Sequence, residues 1–211
     1  MSRDRDPYER TLDVLRRQLR AGRFGEGQPL QIQHLASDLG VSTTPVREAL
    51  SRLSGEGLIE RATSGYVSHR YDAVSLGDLY RLDGVYALAA IAPSWPAPRP
   101  RPGPRQVNSL WTADDYVGST EALLQRLGDA RDRVLGAARR NLCDRLAPFR
   151  AAEVGVFEDL EAEAWTLDAA LSSGVSVKVQ TLVRSYYRRR ARYSAEILHL
   201  FRISKYQSNI P

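Results

Sequence analysis

Apolar positions in the first third of the chain fall twice into the spacing of a helix face. Ile32, Leu35, Ala36 and Leu39 recur at i, i+3, i+4 and i+7, which lines one side of an α-helix. Val46, Ala49, Leu50 and Leu53 form a second such face and leave Arg47, Glu48 and Ser51 outward. Between them Gly40 is placed to stop the first helix, because glycine alone takes a left-handed backbone without a Cβ clash. Pro45 is expected at the start of the second helix, where its missing N–H costs nothing, with Thr43 or Thr44 capping the free N–H groups. After Gly57 the period changes: Leu58-Ile59 and the run Tyr66-Val67-Ser68-His69-Arg70 read as two strands around Ala62-Thr63-Ser64-Gly65, a hairpin with a polar tip.

Helices of roughly eight and twelve residues joined by about four match a helix-turn-helix, whose second helix presents its N-terminal residues to base edges in the major groove. Helix N-termini attract phosphate. Ser and Thr hydroxyls bond phosphate, and Arg reads guanine with two hydrogen bonds. Two amphipathic helices alone are common in helical proteins; the hairpin wing and the Thr-Thr-Pro start followed by an outward Arg are what point to double-stranded DNA.

The segment Val41-Ser42-Thr43-Thr44-Pro45-Val46-Arg47-Glu48-Ala49-Leu50, with Gly55-Glu56-Gly57-Leu58-Ile59, resembles the signature of the GntR family of bacterial transcription regulators. The resemblance runs from about Tyr8 to Tyr71. It implies a first helix carrying Tyr8, Leu12, Leu15 and Leu19, then a connector from Gly25 to Leu30. It also implies DNA contacts at Gln33, Ser42, Thr44, Arg47 and Gly65. Thr43 stands where the family usually has Arg, so the resemblance implies an altered contact there and an altered operator preference.

Helical periodicity dominates the rest of the chain. Leu76, Leu79, Leu82 and Tyr86 predict a helix ending near Ala92. Leu123, Leu127, Ala130, Val134, Ala138 and Leu142 predict a long one stopped by Pro148. Phe157, Leu160, Ala164, Leu167 and Leu171 predict a third, ended by Ser172-Ser173-Gly174, and the apolar series from Val179 to Leu200 predicts one long last helix. The economical fold is mainly α: a winged helix-turn-helix over residues 1–75 and an all-α bundle over 76–211. The Pro-rich loop 93–108 interrupts that bundle and cannot be helical. Arg184, Arg188, Arg189, Arg190 and Arg192 invite a second nucleic-acid contact, although the expected reading is a charged outer face opposite Tyr186 and Tyr193.

A winged helix followed by such a bundle resembles the FadR subfamily of GntR regulators. That resemblance implies a homodimer whose second domain binds a small effector, commonly a carboxylate, often through a metal held by one acidic residue and three histidines. Here the only histidines are His34, His69 and His199, and Ala164 and Tyr186 stand where the subfamily often has His. A transition metal needs three or four ligands; Asp114 or Asp115 could keep the acidic position, but no set is complete. The expectation is therefore no metal and no cofactor. An organic acid or acyl effector would be held by Arg or Tyr and the apolar interior.

Charge changes the picture little. The chain carries +5 overall, yet residues 1–75 hold 11 basic and 10 acidic side chains, so composition permits a polyanion partner without selecting the first domain for it. The single Cys143 excludes an intrachain disulfide. The charged start and the absence of a long apolar run predict a cytoplasmic protein without membrane association. No Gly-rich phosphate loop, nucleophile elbow or Cys-His pair is present, so catalytic residues are expected to be none. Two regulators fit: one controlled by an effector, and one that binds DNA constitutively through a bundle that only dimerises.

Overall fold

Asp6 caps the first helix by accepting a hydrogen bond from the Tyr8 N–H at 3.1 Å, and Pro7 supplies a preset φ at the helix start. In the computed structural model, residues 6–91, 116–127, 133–173 and 176–208 are described. They divide into two compact units, Met1–Tyr71 and Asp72–Pro211. The Pro-rich segment 93–108, and with it Asp114 and Asp115, lies outside the described residues.

The first unit holds α1 (Pro7–Arg20), α2 (Ile32–Leu39), α3 (Thr43–Gly55), β1 (Ile59–Ala62) and β2 (Gly65–Ser68). Leu12 and Leu15 of α1, Leu35 and Ala36 of α2, and Val46, Ala49, Leu50 and Leu53 of α3 share one core with Leu30, Leu58 and Ile59. Gly40 ends α2 at φ +62°. The turn between α2 and α3 is one residue shorter than expected, because α3 already begins at Thr43; Pro45 is its third residue and Ser42 the cap position. That placement still avoids the cost of proline, since the first turn has no N–H to lose.

β1 and β2 pair antiparallel from Ile59 opposite Ser68 to Ala62 opposite Gly65, so the second strand ends two residues before Arg70. The connector joins this hairpin. The Leu30 N–H donates to the Tyr66 carbonyl at 2.8 Å and the Ser68 N–H to the Gln28 carbonyl at 3.0 Å. Ser68 is buried; its hydroxyl accepts from the Gln28 N–H at 2.9 Å and donates to the Gly25 carbonyl. A polar residue inside a strand thus fastens the wing to the segment leading into α2.

The second unit contains, among the described residues, α4 (Ala73–Ile91), α5 (Tyr116–Leu127), α6 (Arg133–Glu153), α7 (Leu160–Ser173), α8 (Ser176–Arg192) and α9 (Ser194–Ser208). Asp72 and Ser75 cap α4 reciprocally: the Ser75 N–H donates to Asp72 Oδ1 at 2.7 Å and the Asp72 N–H to Ser75 Oγ at 3.0 Å. Those Ser75 bonds hold the Asp72 carboxyl below its ordinary pKa. α4 packs against α6, α8 and α9. At Gly84 a Cβ would come within 2.9 Å of the Tyr187 Cβ, so only glycine lets α4 and α8 approach so closely.

Several expectations for this unit need correction. The predicted helix from Leu123 to Leu142 is two elements, α5 and α6, with 128–132 outside the described residues. Pro148 lies inside α6 rather than ending it; Leu146, Ala147, Phe149 and Arg150 around it are buried, and that packing outweighs one lost backbone bond. Ser172 and Ser173 belong to α7. The last predicted helix breaks at Tyr193 into α8 and α9, where Ser194 Oγ donates to the Ala73 carbonyl at 2.6 Å. On α4 it is Tyr80 and Asp83 that are buried, while Leu82 is exposed. Arg190 does not lie on an outer face: it is fully buried, and Tyr193 is partly exposed.

Candidate nucleic-acid interface

One face of α3 carries the groups that can meet DNA. Its apolar face, Val46, Ala49, Leu50 and Leu53, is spent on the core, which turns Thr43, Thr44, Arg47, Glu48 and Ser51 to solvent. Ser42 sits at the cap position with φ −70° and ψ 166°, yet its side chain makes no capping bond. The free N–H groups of the first turn therefore stay open to an anion. No acidic residue lies in that turn. Thr43 and Arg47 are one helical turn apart and share a side of the helix.

Among the described residues Arg47 has no ion-pair partner, whereas its neighbour Arg52 is held at 2.7 Å by Glu56, which also binds Arg16 of α1 at 2.7 Å. The second pair joins α1 to α3 and leaves Arg47 as the cation at the middle of the exposed face. Gln33 is exposed on the first turn of α2. Gly65 opens β2 with φ +131°, and a Cβ there would meet nothing within 4 Å, so backbone conformation and not space demands glycine. Ser42, Thr43, Thr44 and Arg47 are thus together on one helix, while Gln33 and Gly65 belong to other elements of the same unit. Arg61, exposed on β1, is a wing cation that sequence reasoning passed over; its place beside the polar tip was the available signal.

Residues 7–65 match the family of bacterial regulatory proteins described as the gntR family. The first unit is a GntR-family helix-turn-helix domain. The GntR unit is 39% identical over 69 residues to the Nta operon transcriptional regulator of Aminobacter aminovorans, a match covering 32% of this chain and 33% of that protein. Over 195 residues the chain is 25% identical to an HTH-type transcriptional regulator of Mycobacterium tuberculosis, covering 82% of this chain and 79% of that one. The solved structure of E. coli McbR/YncC shares the fold at a TM-score of 0.62 and 20% identity, over 90% of this chain and 97% of that one. A GntR transcriptional regulator from Rhodococcus sp. RHA1 does so at 0.65 and 19%, over 91% and 97%.

The helical unit, which follows the GntR unit in the chain, buries a polar network that apolar periodicity could not show. Glu153, fully buried, accepts from Tyr80 Oη at 2.8 Å, Tyr116 Oη at 2.7 Å and Arg190 Nε at 2.8 Å. Arg190 also reaches Glu163 at 2.8 Å, and its guanidinium lies 3.4 Å over the Tyr186 ring centre. A second cluster joins Asp83 to Tyr187 Oη at 2.7 Å and to Arg139 at 3.3 Å. Burial pushes the Asp83 carboxyl above its ordinary pKa against the pull of Arg139. Burial also raises the Tyr80, Tyr186 and Tyr187 phenols.

Ala164 and Tyr186, the positions compared with metal-binding histidines, are both buried. Among the described residues no group of three His, Cys, Asp or Glu side chains is placed to hold a metal ion, and no helix is long and apolar enough to cross a membrane. Among the described residues, four of the five buried charged residues follow a buried apolar one by three or four positions: Asp83 after Leu79 and Tyr80, Arg150 after Leu146, Glu153 after Phe149, Arg190 after Tyr186 and Tyr187, with Arg139 the exception. That spacing was the signal in the sequence.

Proposed function

We propose that this chain is a sequence-specific transcription regulator that binds a palindromic operator as a homodimer in the cytoplasm, with its helical unit sensing an organic acid or acyl effector. It fits the FadR-like subfamily with a divergent second domain. The observation that carries the reading is the exposed start of α3, where Ser42, Thr43 and Thr44 flank open backbone N–H groups and Arg47 is exposed, without an ion-pair partner among the described residues. In this reading Ser42 and Thr44 bond phosphate, Arg47 reads a guanine, and Thr43 sets the operator apart from sites read by an Arg there. Gln33 and Gly65 add contacts from α2 and the wing. A two-fold dimer reads two half-sites, so the operator is a palindrome. An effector acts by favouring one separation of the two reading heads.

A constitutive regulator is the second reading, favoured by the interior of the helical unit, where Glu153 and Asp83 are already held by Tyr and Arg partners. The experiment is selection of sites from random duplex DNA, followed by affinity measurements at two salt concentrations. The proposed regulator enriches a palindrome bound far more tightly than random DNA. Weak binding that falls steeply with salt and enriches no motif would reduce the interface to phosphate contact.

A further inference from the structure

Residues 1–75 hold 11 basic and 10 acidic side chains, so nearly all of the chain's +5 lies beyond them. Within the helical unit it is concentrated on α8, Ser176–Arg192, which carries six basic side chains and no Asp or Glu. Two of the six are used inside the fold. Arg190 is buried on Glu153 and Glu163, and Arg189 pairs with Asp159 and Glu163. Lys178, Arg184, Arg188 and Arg192 are exposed and have no ion-pair partner among the described residues. Even Glu196, exposed four positions past Arg192, forms no ion pair with it.

Arg184, Arg188 and Arg192 stand on successive turns of one side of the helix, about 6 Å apart along its axis, and Lys178 lengthens the row to about 21 Å. Thr181 and Ser185, also exposed, lie between them. Such a row works against the helix that carries it. Like charges four residues apart repel each other, and Lys178 in the first turn opposes the helix dipole. Of the four, only Arg192 lies in the last turn, where the dipole favours a cation. Stability of the fold therefore does not account for the row, whereas a polyanion would relieve its repulsion.

The chemistry of the face selects the kind of polyanion. Guanidinium, ammonium and hydroxyl groups are the side chains that bond phosphate oxygens. The apolar side of α8, with Val179, Val183, Tyr186 and Tyr187, is buried in the unit. The outer side thus has neither the apolar centre of a protein interface nor a stripe to sink into a membrane surface. It also lacks the row of aromatic rings on which single-stranded bases stack. Duplex DNA presents a negative charge about every 1.7 Å of its axis, dense enough for each cation of the row to find a phosphate.

We propose that Lys178, Arg184, Arg188 and Arg192 on the outer side of α8 form a second DNA-binding surface, which holds the phosphate backbone of duplex DNA and reads no sequence. The surface is independent of α3 and of any effector. The test is fluorescence anisotropy of a labelled duplex of random sequence titrated with the full chain over a range of salt concentrations. With Arg184→Gln, Arg188→Gln and Arg192→Gln combined, the plot of log K against log salt becomes shallower by about 2.7, roughly 0.9 for each of three lost phosphate contacts. Glutamine is a good helix former and no internal ion pair is lost, so the melting temperature does not fall. Binding weakens alike for all sequences, and the motif enriched by site selection stays the same, whereas Arg47→Ala changes the motif.

Arg81→Gln, Arg140→Gln and Arg202→Gln combined remove the same charge from exposed positions on α4, α6 and α9. That variant keeps the wild-type slope, because salt screens charges that touch no DNA. An unchanged slope in the α8 variant overturns the proposal. An equal change in both triple variants also overturns it, by reducing the effect to net charge. Vesicles of phosphatidylserine and phosphatidylcholine that bind the wild type more tightly than the duplex does at the same salt, and lose that binding in the α8 variant, overturn it in favour of a membrane surface.

Discussion

Arg47 and Arg52 lie five residues apart on the same helix, but only Arg52 is held by a carboxylate, Glu56 at 2.7 Å. Freedom from an internal partner lets Arg47 meet a base without first breaking an ion pair. Arg47→Ala should therefore weaken operator binding by about 1–3 kcal/mol and relax the preference at one operator position; quantitative binding to a set of single-base operator variants measures both effects. Glu153 is the opposite kind of residue, fully buried and holding Tyr80, Tyr116 and Arg190 at once. Glu153→Leu strands the Arg190 charge in a dry interior, a loss of about 3–5 kcal/mol, with the lower end expected because Glu163 also reaches Arg190 at 2.8 Å. Urea unfolding followed by circular dichroism tests it, and unchanged stability would show that the network adds nothing to the fold.

Two glycines show how elements set the sign of one substitution. Gly55, the last residue of α3, has open space where a Cβ would go, so Gly55→Ala should stabilise the first unit by about 0.4–1 kcal/mol through the unfolded chain. Gly84→Ala would drive its methyl into Tyr187 and should destabilise the helical unit by about 1–3 kcal/mol, although alanine is the better helix former. Denaturant midpoints of the two variants moving in opposite directions would confirm this contrast. The elements of the GntR unit were legible because each helix has one apolar face and the glycines at 40 and 57 mark where the pattern resets. The helical unit was less so: apolar periodicity runs straight through Tyr193 although the chain changes helix there, and a rule that proline ends helices missed a Pro148 embedded among buried neighbours. At the candidate interface the exposed residues of α3 could be named from sequence, since the buried face fixes them by elimination. The buried polar network could not, because charge was read as a mark of the surface at Arg190.

At the scale of the molecule, buried titratable groups give the helical unit a characteristic response to alkali. Burial raises Cys143 to about 11, and Tyr80, Tyr116, Tyr186 and Tyr187 above the ordinary phenol value. For an acid whose folded pKa is raised, the stabilisation is complete below the unfolded pKa and is lost as pH climbs through the folded one. The thiol contribution should thus begin to fade near pH 9 and be gone past about 11, with the phenols adding to the loss above about pH 10. Tyrosinate absorbance and helical circular dichroism recorded together during an alkaline titration should show these tyrosines ionising in step with unfolding.

The contact at Gly84 also bears on motion. With no side chain at Gly84, the α4 backbone there rests directly against Tyr187 of α8, and separating the two helices forfeits that close packing. Small, local openings of either helix are therefore disfavoured relative to concerted ones. Amide hydrogens in the middle of α4 and α8 should exchange with deuterium only through the largest unfolding event of the unit, at matching rates, so this pair would be the last part of the helical unit to forget its fold.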